Sequence, residues 1–173
     1  MISLNVLFYM FIVLFAMIGM IRGFRKEVVV TVSGILALFV IEAVLPKLFG
    51  SLEGTKALFL KLLVLLFCGF FGYQTPSFRG FVDTGRFERD TFLYMILGAL
   101  TGALNGYIFV SSAWFFLAKA GYPFSWIIAP DANTELGLKA IELLNEAIPS
   151  VLTGSWLYIA LAAAMAIVLA VIF

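Results

Sequence analysis

Met20-Ile21-Arg22-Gly23-Phe24-Arg25-Lys26-Glu27 is the densest run of charge near the N-terminus, and it stands between two long apolar stretches. Met1 to Ile21 carries no charged side chain, and Val28 to Leu45 carries only Glu42. The octapeptide therefore reads as a tight turn between two membrane-spanning helices rather than as a surface strand of a soluble domain. Three basic residues in so short a loop also set its direction, because Lys and Arg close to helix ends stay on the cytoplasmic side.

The composition agrees with that reading. Hydrophobic residues make up 64% of the 173 and charged ones 12%, with a mean hydropathy of +1.12. A soluble domain carries about twice that share of charge. The expectation is an all-α, polytopic transmembrane bundle without a separate soluble domain. A formal net charge of +1 gives no basic field for nucleic acid, so no nucleic-acid partner is expected. The chain has no histidine, which removes the commonest metal ligand and general base. The single cysteine, Cys68, lies in an apolar run and reads as a small packed hydrophobe. The first apolar stretch has no positive region before it and no small-residue cleavage site, so it reads as a retained helix.

Taking about 20 residues per crossing, five spans follow. They are Ile2 to Ile21, Val28 to Leu45 ending before Pro46, Ala57 to Tyr73, Thr91 to Ala118, and Gly154 to Phe173. The third and fourth are joined by a polar loop in which Arg79, Arg86 and Arg89 alternate with Asp83, Glu88 and Asp90. All five arginines fall in the first and third loops. That asymmetry places these loops in the cytoplasm, the N-terminus outside and the C-terminus inside a bacterial inner membrane. Three regions result: 1–120 with four membrane helices, an extracytoplasmic segment over 121–153, and a last transmembrane helix over 154–173.

Within the middle region, Leu136 to Ile148 has helical periodicity. Leu136, Ala140, Ile141, Leu143, Leu144, Ala147 and Ile148 share one arc, while Lys139, Glu142, Asn145 and Glu146 share the other. This predicts an amphipathic helix on the outer membrane surface or over the bundle, started by Asp131 or Asn133 and ended by Pro149. Tyr122, Trp126, Trp156 and Tyr158 flank it and suit the headgroup belt.

No catalytic, metal or phosphate-binding constellation is present in the sequence, and neither a cofactor nor enzymatic activity is expected. Two features remain. Glu42 and Lys61 each lie about one turn from the outer end of the second hairpin, which predicts a shallow intramembrane ion pair. Gly98, Gly102 and Gly106, spaced by four, form one smooth helix face. Such a stripe lets another helix backbone come close, and Asn105 and Thr101 beside it are suited to interhelical hydrogen bonds. The partner helix is left open between this chain, a second copy and another subunit.

Arg22-Gly23-Phe24-Arg25-Lys26-Glu27, with Gly34 following in the second helix, resembles the turn motif of the colicin V production protein (CvpA) family of bacterial inner-membrane proteins. A second family signature, Asp-Arg followed by an apolar stretch and Gly-x-x-Arg-Gly, is matched in spacing by Asp90 and Gly98-Ala99-Leu100-Thr101-Gly102. Thr91 and Thr101 stand where the family has arginines, and a fifth span exceeds its usual four. The resemblance covers about residues 1–120. It implies a non-enzymatic protein of toxin export and envelope homeostasis, a scaffold or transporter component. The other class compatible with the residues is an accessory subunit of a large respiratory or photosynthetic complex, packed against other subunits, lipids or pigments. In either class the partners are membrane lipid and neighbouring protein helices, in a homo-oligomer or a larger complex.

The arginine asymmetry makes a direct prediction. In a Cys68→Ala background, a cysteine at Ser51 should react with an impermeant maleimide in intact cells, and one at Ser77 should stay protected. The reverse pattern inverts the orientation.

Overall fold

A single residue separates the first two helices. The computed structural model describes residues 4–50, 53–74 and 91–172. In it α1 (Leu4–Arg22) ends one residue before α2 (Phe24–Phe39) begins. Only Gly23 leaves the helical conformation, with φ of 83°, a region that L side chains seldom occupy. The expected eight-residue turn is thus a one-residue break, and its charged residues sit on helix ends. Arg22 lies in the last turn of α1 and Glu27 in the first turn of α2, each where the helix dipole favours its charge.

Beyond Phe39 the second helix continues through a π-helical turn, Val40–Val44, into α3 (Leu45–Phe49). The sequence places a stop before Pro46, but the chain passes that residue and turns only at Gly50. A proline ring collides with the carbonyl four residues earlier in a regular α-helix. The wider π turn shifts that carbonyl and lets the helix run on. The remaining elements are α4 (Gly54–Gln74), α5 (Thr91–Lys119), α6 (Glu135–Asn145), α7 (Ile148–Val151) and α8 (Ser155–Ile172). Among the described residues there is no strand. Four helices are long and apolar enough to cross a membrane: α1, the continuous Phe24–Phe49 rod, α4 and α5. The fifth apolar helix, α8, is shorter in its apolar part, Ser155–Ala170, and lies against α2. The polar loop expected between the third and fourth spans, with Asp90, lies outside the described residues.

α5 is the central element, touching α1, α2 and α4. It runs antiparallel to α1, because Gly98 meets Gly19 and Gly23 while Gly106 meets Ile12 and Phe15. Farther along, Phe8 packs on Tyr107 and Trp114. The stripe of Gly98, Gly102 and Gly106 therefore faces α1 of the same chain, and Gly19 completes it from the other side. A Cβ on Gly19 would lie 2.8 Å from Gly102 Cα, and one on Gly102 would lie 2.9 Å from Gly19 Cα. In lipid, where apolar surface gains nothing by moving from solvent to protein, this backbone-to-backbone approach supplies the attraction.

The rest of the core lies toward the end of the bundle remote from Gly23. Ala37, Leu38, Ile41, Leu45, Leu58, Leu65, Phe116 and Leu157 join α2, the π turn, α3, α4, α5 and α8 into one cluster. A smaller cluster of Phe8, Trp114 and Ala140 seats α6 on α1 and α5. The cap of α6 is Thr134, whose hydroxyl accepts from Gly137 N, rather than the expected Asp131 or Asn133. Asp131 instead accepts from the backbone and side-chain amides of Asn133. Ala140 and Ala147 are buried as the periodicity predicts, but Leu136 is 60% exposed.

The glycine contact yields a stability test. Gly102→Leu drives a side chain into the α1 backbone and should destabilise the fold by about 3 kcal/mol, the upper end for overpacking. Leu100→Ala, on the exposed face of the same helix, should leave the detergent melting temperature near the native value. A stable, native-sized Gly102→Leu protein contradicts the packing.

Candidate functional site: a buried polar lock

Glu27 is fully buried (0% exposed) in a chain with few charges. A lone carboxylate in so dry a place would be strongly unfavourable. Four elements converge on it. Arg22 Nη1 at the end of α1 donates to Glu27 Oε1 at 2.8 Å. Asn105 Nδ2 on α5, also 0% exposed, donates to Glu27 Oε2 at 2.8 Å and lies 3.0 Å from the Glu27 backbone oxygen. The Thr31 hydroxyl lies 2.7 Å from Asn105 Oδ1 and 3.1 Å from Glu27 O, and its one proton serves either acceptor. Arg22 Nη2 donates to the Tyr73 carbonyl at 3.0 Å, one of the last carbonyls of α4, which has no partner within its own helix. The guanidinium also stacks over the Tyr73 ring, 4.3 Å from its centre.

Each atom has a specific task. The pair cancels its own charge, Asn105 fills the second carboxylate oxygen, and Thr31 fixes which way the Asn105 amide points. The planar Arg22 fork serves two acceptors at once, which a lysine does not do in this geometry. Gly23 is required twice over: by its φ, and because an added Cβ would overlap the Tyr94 ring. Both oxygens of the Glu27 carboxylate have a donor, and the arrangement fastens α1, α2, α4 and α5 together. The buried Tyr73 hydroxyl beside it has no hydrogen-bond partner among the described residues.

Of the residues singled out in the sequence, the structure thus brings together Arg22, Gly23, Glu27 and Asn105. Phe24, Arg25 and Lys26 are half-buried on the first turn of α2. Thr101 bonds only to carbonyls of its own helix, Leu97 and Gly98. Sequence reasoning missed Thr31 and Tyr73. Thr31 lay within reach, four residues after Glu27 and so one turn above it. Tyr73 gave no signal, since the contacts it makes with Arg22 are through a backbone carbonyl and a ring face.

The expected Glu42–Lys61 ion pair does not form: among the described residues no ion pair joins these two. Glu42 lies on the π-helical turn and is exposed. Lys61 instead holds its Nζ over the Phe116 ring, 5.3 Å from its centre. The extra residue in the π turn displaces Glu42 from its α-helical bearing, which explains the miss. Both residues do line one cleft of about 530 Å³, together with Glu53 and Lys119. Among the described residues no group of three or more His, Cys, Asp or Glu side chains could hold a metal ion.

Two mutational outcomes follow. Glu27→Gln leaves Arg22 without its counter-charge and should cost about 3–5 kcal/mol, whereas the Arg22→Gln, Glu27→Gln double variant should lose less than the sum of the singles. In detergent melts, Glu42→Gln and Lys61→Gln should by contrast be additive. Strong coupling between Glu42 and Lys61 would restore the direct pair.

No family model, curated protein or solved structure matches this chain.

Proposed function

We propose that the chain is a non-enzymatic bacterial inner-membrane protein of the colicin V production type, acting as a membrane scaffold or transporter component in envelope homeostasis. Its N-terminus lies outside and its C-terminus inside. The observation that carries this reading is the use of the turn motif. Arg22, Gly23 and Glu27, the residues that bear the family resemblance, are committed to joining four helices. A motif used in this way specifies an architecture, which supports a scaffold or transporter component.

A second reading, an accessory subunit of a large energy-transducing complex, is favoured by one surface. Phe59, Leu63, Leu66, Phe67 and Phe70 form an exposed aromatic and aliphatic face along α4. Lipid covers such a face equally well, so composition does not separate the two readings, but the mass of the native particle does. Native mass spectrometry after gentle detergent extraction should give the chain alone or a small homo-oligomer. Foreign subunits at fixed stoichiometry would overturn the first reading in favour of the second.

A further inference from the structure

At the end of the bundle remote from Gly23, four charged side chains line one open cleft without neutralising one another. Glu42 comes from the π-helical turn, Glu53 from the residue before α4, Lys61 from α4 and Lys119 from the end of α5. Among the described residues no carboxylate lies at salt-bridge distance from either lysine. The two ammonium groups are instead held over neighbouring rings of α5: Lys61 over Phe116 at 5.3 Å and Lys119 over Phe115 at 5.4 Å. Cation–ring contacts keep a positive charge in place while leaving its N–H groups available to an anion.

A cleft of about 530 Å³ is of ligand size. Its two positive and two negative side chains cancel overall, so a simple anion or a simple cation meets repulsion as well as attraction. A ligand that carries both signs, separated by a few bonds, meets attraction at each end. Two lysines suit the two non-bridging oxygens of a phosphodiester, each making a charge-assisted hydrogen bond. Glu42 and Glu53 suit an ammonium group with N–H donors. The π-helical turn that carries Glu42 is itself a departure from regular helix of the kind that recurs at functional sites. The cleft also lies at the end of the spans. There Trp156, at the start of α8, and Trp126, after α5, are 68% and 76% exposed, as aromatic side chains are in the headgroup layer.

We infer that this cleft binds a phosphoethanolamine zwitterion, with Lys61 and Lys119 on the phosphate and Glu42 and Glu53 on the ammonium. A phosphatidylethanolamine headgroup and its water-soluble glycerophosphodiester present the same chemistry.

The full chain is reconstituted in an equal mixture of phosphatidylethanolamine, phosphatidylcholine and phosphatidylglycerol with matched acyl chains. Retained lipids are then counted by native mass spectrometry after mild extraction. The native protein should retain phosphatidylethanolamine over phosphatidylcholine by on the order of tenfold, since the methylated headgroup has no N–H for the carboxylates. The Lys61→Gln, Lys119→Gln variant should lose that enrichment, and the Lys61→Arg, Lys119→Arg variant should keep it. Glu42→Gln with Glu53→Gln should switch the preference toward phosphatidylglycerol, because the cleft is then positive. Displacement of the bound lipid by glycerophosphoethanolamine assigns the site to the headgroup alone, and resistance to displacement assigns it to the whole lipid. Equal retention of the three lipids by the native protein overturns the inference without reference to any variant. So does an unchanged preference in charge variants that elute and melt like the native protein.

Discussion

The carboxylate of Glu27 is the constraint on which the arrangement of the helices depends. A charge with no exposure is tolerated only if its counter-ion and its remaining lone pairs are all supplied by protein, and here they come from α1 and α5. That demand fixes distances between elements that apolar packing alone leaves adjustable. Replacing such a network by hydrocarbon of equal volume is often neutral or favourable. What the network adds is direction: α1, α2 and α5 must bring Arg22, Glu27 and Asn105 to one place for both carboxylate oxygens to be satisfied.

The glycine contact works with the lock and reinforces it. Gly19, Gly98 and Gly102 bring α1 and α5 close enough for the turn at Gly23 to sit against Tyr94. The same helix then carries Asn105, seven residues past Gly98, to the level of Glu27 and Thr31. Attraction in the glycine zone is dispersive and nearly indifferent to small rotations. The hydrogen bonds a turn or two farther along are directional and remove that freedom. Small residues set the distance and polar residues set the angle.

Much of this was legible in the sequence. Apolar run length located the four long helices within a few residues, and the spacing of Gly98, Gly102 and Gly106 marked a close-packing face. The alternation around Ala140 and Ala147 located α6. What escaped the sequence has identifiable causes. Pro46 looked like a terminator because a π turn adds one residue without leaving a trace in composition. Glu42 and Lys61 looked paired because depth was judged from α-helical rise, which that turn does not follow. Glu27 looked like part of a solvated turn, and nothing local distinguishes a charge that faces water from one that faces Asn105 across 78 positions of sequence. Tyr73 contributes a backbone carbonyl, where residue type says least, and a ring face whose partner lies 51 positions away in sequence.

That sequence separation has a consequence for biogenesis. At synthesis rates of about 5–20 residues per second, Asn105 follows Glu27 from the ribosome after roughly 4–16 s. Through that interval the first hairpin holds Glu27 with Arg22 alone, and the second carboxylate oxygen has no protein donor from α5. The nascent hairpin therefore has a reason to stay near the interface, where water serves as the missing donor, and to sink to its final depth only when α5 arrives. The fold would then be assembled in the reverse of its spatial logic, with the central helix entering between α1, α2 and α4 already in the membrane and α8 closing over α2 after it.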